Sequence, residues 1–338
     1  DFRYADQIMK ELIRIARQRF QADIERYRAL AVDYKDFVKR ESFWLPDHAL
    51  FSLLKSEFEN LPWNEWPEAF ALKDRDTIEN YIRVKNNKDE IDLVFFEQFV
   101  FDRQWKAFRS FCNGKGISLM GDVPMFVAYD SADVWANREL FDLDPEGSPN
   151  KVAGVPPDYF SATGQRWGNP LYNWEIMQKN GFAWWIARTK KALENFDLVR
   201  IDHFRGFSAC WAVPAEEDTA ENGEWKDTPG RELLNAIHGM IREERLRASA
   251  LIAEDLGIIT DDVRELMDEF GLPGMKVLLF AFDGECGLNP YAPHNHRPDS
   301  VVYTGTHDNN TVCGWWANDS DEHARSLVSE YTGREIND

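Results

Sequence analysis

A chain of 338 residues, 43% of them hydrophobic, is long enough for one large domain or two ordinary ones and apolar enough to bury a core. Its formal net charge of −20 argues against nucleic-acid and anionic-membrane partners, both of which call for a basic surface. No apolar run approaches the roughly 18 residues of a membrane span, no signal peptide opens the chain, and four cysteines without a C-x-x-C pair predict reduced thiols in a cytoplasmic protein.

The first residues already carry a helical pattern, so further sequence is expected before Asp1, and also beyond Asp338. Ile8, Leu12, Ile15 and Ala16, then Phe20, Ile24 and Tyr27, recur at helical spacing and predict one long helix over residues 1–40. A second helix is expected over 49–58, after the start signal Pro46-Asp47. Trp63, Trp66 and Pro67 mark a loop, and helices follow over 75–86 and 91–113. Residues 1–115 thus read as a mostly helical subdomain without a catalytic constellation.

After Gly116 short apolar runs alternate with helical patterns. The runs are 117–127, 198–204, 250–256, 274–282 and 300–307, and the helices lie over 183–194, 231–247 and 260–270. This is the pattern of parallel β/α units, an α/β fold. Five strands are visible over 116–338, where a closed (β/α)8 barrel needs eight.

The strand ends read GDVPMF, RIDHFRG, AEDLG and GTHDNN. Each delivers a carboxylate: Asp122, Asp202, Glu254 and Asp308. A lone acid there is weak evidence, since Asp commonly caps the next helix. Several in register point to a shared site, because parallel barrels carry their chemistry at strand ends. Alternation along DLVRIDHF puts Arg200 and Asp202 on one face, and the cation is expected to lower the Asp202 pKa, as suits a nucleophile. Glu254 follows the apolar run ALIA, whose surroundings are expected to raise its pKa, as a general acid requires. Its neighbour Asp255 is the alternative acid, though it is expected rather to cap the turn that follows or to pair nearby. Two carboxyl groups in opposite protonation states are what retaining glycoside cleavage needs. Aromatic residues make up 14% of the chain, which suits stacking on sugar rings and large-domain packing equally. The H-x-H of His294 and His296, in a loop with no further ligand cluster, reads as surface polarity rather than a metal site.

The segments VAGVPPDYFSATGQRWGNPLY (152–172), LVRIDHFRGF (198–207), LIAEDLG (251–257), GLPGMKVLLFAF (271–282) and YTGTHDNN (303–310) resemble the amylomaltase, or disproportionating, type of 4-α-glucanotransferase, glycoside hydrolase family 77. The resemblance implies a (β/α)8 TIM barrel, represented incompletely at both termini, with the helical part on its N-terminal side. By position, Asp202 matches the family's nucleophile, Glu254 its general acid/base and Asp308 its transition-state stabiliser. Asp122, Arg200, His203 and His307 match residues lining the subsite at the cleaved bond. Tyr159 and Phe160 match a loop covering the glucan, and Trp167 and Phe280 match aromatic sugar contacts. The family usually reads HDND where this chain has HDNN, so Asn310 replaces an acid. The implied reaction moves an α-1,4-glucan segment from a donor to a sugar acceptor without metal or organic cofactor, in the cytoplasm, or in the plastid if the source is a plant or alga. An α-glucan hydrolase with the same carboxylates, a non-catalytic glucan-binding protein and a metal-dependent hydrolase are the rival readings. The retained carboxylates disfavour the second, and the histidine spacing disfavours the last.

Overall fold

The computed structural model describes residues 2–158, 161–246, 250–257, 259–284 and 286–336. These form two compact units. One takes in the chain up to Leu119 together with Phe126–Gly181 and Cys210–Lys226. The other is built from Met120–Met125, Phe182–Ala209 and the chain from Asp227 onward.

The first unit begins with α1 (Phe2–Ala22), α2 (Arg28–Arg40), α3 (Leu45–Glu57), α4 (Glu68–Ala71), α5 (Arg75–Arg83) and α6 (Lys85–Asn113). The single helix expected over residues 1–40 is two. Asp23 breaks it, its side chain accepting the Arg26 N–H at 3.2 Å while its carbonyl accepts the Tyr27 N–H at 3.3 Å. Asp favours such local side-chain-to-backbone bonds over helix continuation. The apolar stripes of α1, α2 and α6, with the first residue of α3, converge on Phe20, Phe37, Leu45, Phe96 and Phe99. Phe20 stacks on Phe96 at 5.4 Å, and each such buried ring is worth about 1.5–3 kcal/mol in water removed from apolar surface.

Nine strands form among the described residues: β1 (Met120–Pro124), β2 (Lys151–Val155), β3 (Gln165–Pro170), β4 (Leu198–Asp202), β5 (Ala209–Pro214), β6 (Glu224–Asp227), β7 (Leu251–Ala253), β8 (Gly274–Val277) and β9 (Ser300–Tyr303). The sheet β3-β2-β5-β6 has no counterpart in the sequence expectations. Both β2–β3 and β2–β5 are antiparallel.

The second unit carries the expected parallel strands, each shorter than its apolar run. β4 pairs with β1 on one side and β7 on the other, and β8 pairs with β9. The Ala253 N–H donates to Pro273 O at 2.9 Å and ties β7 to the lead-in of β8. Helices over Ala183–Asn195, Gly230–Glu243 and Asp261–Phe270 precede β4, β7 and β8. Val199, Ile201, Leu251, Ile252 and Ala253 are all buried, as a strand covered on both faces requires. Among the described residues, β1 and β9 pair on one side only. The Tyr303 hydroxyl on β9 donates to Met120 Sδ on β1 at 3.5 Å, so the strand array curls on itself rather than lying flat.

Candidate active site

Strand register builds the first half of the site. Asp122 on β1 lies opposite Arg200 on β4, and Asp202 closes β4. Arg200 Nε and Nη2 donate to the two Asp122 oxygens at 2.8 and 2.9 Å. Nη2 also ion-pairs with Asp202 Oδ1 at 2.9 Å. The guanidinium is buried while both carboxylates keep solvent access, at 46% and 40% side-chain exposure. One planar fork therefore orients two acids and leaves each an open edge.

The expected lowering of the Asp202 pKa is not found. Burial pushes it above the ordinary value; Arg200 pulls it down, but Asp122 and Asp308 add to the rise. The cation was legible from spacing, whereas the burial depends on strands far away in sequence.

Glu254 follows β7 directly. Its Oε2 accepts the His203 N–H and its Oε1 accepts the Leu256 N–H, both at 2.8 Å. Burial drives its pKa up to about 7, against the pull of these two N–H groups and of Arg200, with Asp202 adding to the rise. Each carboxyl oxygen has a second acceptor site, so the backbone grips the group without occupying the position a proton needs. Asp255 turns the other way, accepting the Met275 N–H at 2.6 Å and pairing with Lys276 at 3.2 Å.

His203 takes a left-handed conformation, φ 50° and ψ 54°, and this aims its N–H at Glu254. Such backbone is uncommon outside glycine and costs about 1–3 kcal/mol. Burial lowers the imidazole pKa to about 4, so the ring is neutral near pH 7.

Asp308 sits in the turn after β9 with 75% of its side chain exposed, 3.5 Å from His307 Nε2. Its charge is felt at Asp202. Asn310 Oδ1 accepts the Thr311 N–H at 2.9 Å. The expected strand over 274–282 gives way after Val277 to a 3-10 turn, Leu278–Phe282, which carries Phe280. Phe280 meets Tyr291 edge-on at 5.4 Å. Trp167 belongs to the other compact unit, on β3, where it is 38% exposed and its Nε1 donates to Gln165 Oε1 at 3.1 Å. Tyr159 and Phe160 lie outside the described residues.

Two tyrosines join the constellation without having been singled out. The acidity of Tyr303 is weakened chiefly by burial, with Arg200 and Asp122 close enough to act on it. Tyr291 likewise senses Asp255 and Glu254. Tyr303 opens the segment YTGTHDNN; no pattern in the sequence marks Tyr291. No group of three or more His, Cys, Asp or Glu side chains suited to a metal ion occurs among the described residues.

The sequence profile of the 4-alpha-glucanotransferase family matches residues 1–337. The chain belongs to that family. It is 49% identical over 300 residues to the 4-alpha-glucanotransferase of Thermus thermophilus, covering 87% of this chain and 58% of that protein. It is 49% identical over 275 residues to the chloroplastic/amyloplastic 4-alpha-glucanotransferase of Solanum tuberosum, covering 81% of this chain and 46% of that one. The chain therefore spans about half of the curated relatives it matches. Among solved structures, amylomaltase from Streptococcus agalactiae in complex with acarbose superposes with a TM-score of 0.88 at 34% identity, covering 97% of this chain and 64% of that one. Amylomaltase from Corynebacterium glutamicum, at 18% identity and a TM-score of 0.70, shares the fold. The family's α/β fold is thus the fold of this chain, with helices and short strands mixed as described.

Proposed function

We propose that the protein is a 4-α-glucanotransferase working by retaining double displacement, with an α-1,4-glucan as donor and glucose or another glucan as acceptor. The observation that carries this reading is the pair of carboxyl groups on neighbouring strands with different environments. Burial drives the Glu254 pKa up to about 7, while Asp202, also raised by burial, keeps the Arg200 cation at 2.9 Å, which pulls it back down. An acid and a nucleophile are thereby available together near neutrality.

Asp202 attacks the anomeric carbon as the Glu254 proton passes to the leaving glycosidic oxygen, giving a glucosyl ester and a released chain end. Glu254, now ionised, takes the proton of an acceptor 4-hydroxyl, whose oxygen displaces Asp202 and restores the α-glycosidic bond. Asp122 and Arg200 hold the nucleophile, and Asp308 and His307 grip sugar hydroxyls and stabilise the transition state. Tyr159, Phe160, Trp167 and Phe280 supply sugar contacts, and water exclusion decides between transfer and hydrolysis. No cofactor enters either step.

The five parallel strands are read as part of a (β/α)8 barrel, with a mostly helical subdomain over residues 1–115. Curling of β9 toward β1 and the greater length of the relatives support this. The proposed place of action is the cytoplasm, or a plastid in a plant or alga. No helix among the described residues is long and apolar enough to cross a membrane.

The test is the product pattern from maltotriose given to the whole protein. Transfer yields glucose and oligosaccharides longer than the substrate, with reducing ends nearly constant. A steady rise in reducing ends without longer products means hydrolysis instead.

A further inference from the structure

One side chain outside the carboxylate cluster meets Phe280 and is linked through Lys276 to the turn that carries Glu254. Tyr291 is half-buried in the loop 283–298 and packs against the apolar cluster of Ala281, Phe282, Ala292 and Val328. Its ring meets Phe280 at 82° with centroids 5.4 Å apart. Lys276 Nζ lies 5.7 Å from its centroid, and the same ammonium pairs with Asp255, the residue after Glu254, at 3.2 Å. The Tyr291 hydroxyl lies in the field of Asp255 and Glu254.

The loop around it has little regular structure and is held by side chains. Asn289 Oδ1 accepts the Tyr291 N–H at 2.8 Å, and Asn289 Nδ2 donates to Phe280 O at 2.7 Å. His296 Nε2 bonds Tyr291 O at 2.8 Å. Asn295 Nδ2 reaches Gly287 O and Asn289 O, and His294 spans Tyr331 and Gly287. The two histidines that read as surface polarity are thus struts of this loop. Side-chain-to-backbone bonds at this density hold a loop in one conformation, which is how a site's supporting groups keep their geometry.

We propose that Tyr291 is a positioning residue for glycosyl transfer: through Lys276 and its pair with Asp255 it holds the 254–257 turn, and with it Glu254, relative to Phe280. The inference rests on the function proposed above. A sugar held against Phe280 then meets the Glu254 proton in one set geometry, and misplacement of about 1 Å at such a point costs about 100-fold in rate. The charged groups around the pair are Asp202 and Arg200 beside Glu254, and Asp255 and Lys276 beside Tyr291.

The test compares the whole protein with its Tyr291→Ala and Tyr291→Phe variants by three readouts: maltotriose turnover, thermal unfolding, and titration of Glu254 in the free protein by carboxyl 13C NMR. Tyr291→Ala should lower kcat about 10- to 100-fold with a smaller change in KM. Water reaching the 254–257 turn relieves burial, so Glu254 should titrate at lower pH than in the wild type. Tyr291→Phe keeps the ring on Phe280 and under Lys276 and should stay nearer the wild type in both respects. If Tyr291→Ala does not fold, Tyr291→Leu, which fills space without a ring, carries the same comparison. A folded Ala or Leu variant with an unmoved Glu254 titration overturns the proposal. So does a loss of activity that only tracks the loss of folded protein. Wild-type protein that titrates as expected yet does not transfer counts against the proposed function and leaves the NMR comparison to judge Tyr291.

Discussion

The backbone N–H of His203 donates to Glu254 Oε2 at 2.8 Å. The residue next to the proposed nucleophile therefore holds the proposed acid/base directly. The return bond, Glu254 N–H to Ile201 O at 3.0 Å, laces the ends of β4 and β7 together. Neither carboxyl group shifts without disturbing the other strand, which keeps the pair preorganised.

The first prediction is a pH profile. In the free enzyme Glu254 must carry its proton for the first displacement, and burial puts its pKa near 7. The ratio kcat/KM should fall as pH rises through about 7, since that ratio reports free-enzyme groups. Glu254→Gln should remove this limb and cost about 10²–10⁴-fold in turnover. A limb that persists in the variant would assign the titration to another group.

Stability should carry the same signature. The folded pKa of Glu254 lies above its ordinary value of 4.5. A raised carboxyl pKa means the folded state binds the proton more tightly, so its contribution is fully present below about pH 4.5 and is lost as pH rises through about 7. Over that window the wild type should lose up to about 3 kcal/mol from this group, at about 1.4 kcal/mol per pKa unit. Glu254→Gln should lack this slope, whatever its absolute stability. Urea unfolding at a series of pH values measures both curves; parallel curves would mean Glu254 is not perturbed.

Arg200→Lys tests the fork. An ammonium cannot reproduce the paired contacts to Asp122 while also holding Asp202. The variant should lose about 10²-fold in kcat/KM through misplacement of the nucleophile. With the opposing cation weakened, the Asp202 pKa should climb further, moving the acid limb of the profile to higher pH. Wild-type kinetics in Arg200→Lys would make the pair a structural one.

How much of this was legible beforehand follows from the range of each interaction. Asp122, Asp202, Glu254 and Asp308 were visible because continuous apolar runs announce buried parallel strands and each run ends in an acid. The sheet formed by 151–155, 165–170, 209–214 and 224–227 was not, since QRWGNP and EWKD have neither alternation nor β-branched content, and their partners make them strands. The break at 23–27 escaped because Phe20, Ile24 and Tyr27 keep helical spacing across it. Tyr303 reaches Met120 over 183 positions of sequence, and no local pattern encodes such a contact. The Asp202 pKa was misjudged for the same reason: its cation is two residues away, while its burial is assembled from distant strands.

The most direct test of the account is covalent trapping at Asp202. Glu254→Gln, incubated with an α-maltooligosyl fluoride whose leaving group needs no acid, should form the glycosyl-enzyme and lack the base that resolves it. Mass spectrometry should then find the protein heavier by one oligosaccharide unit, with the added mass on the peptide carrying Asp202. An adduct on any other residue, or fluoride released with inversion at the anomeric carbon and no adduct, would contradict the double-displacement mechanism.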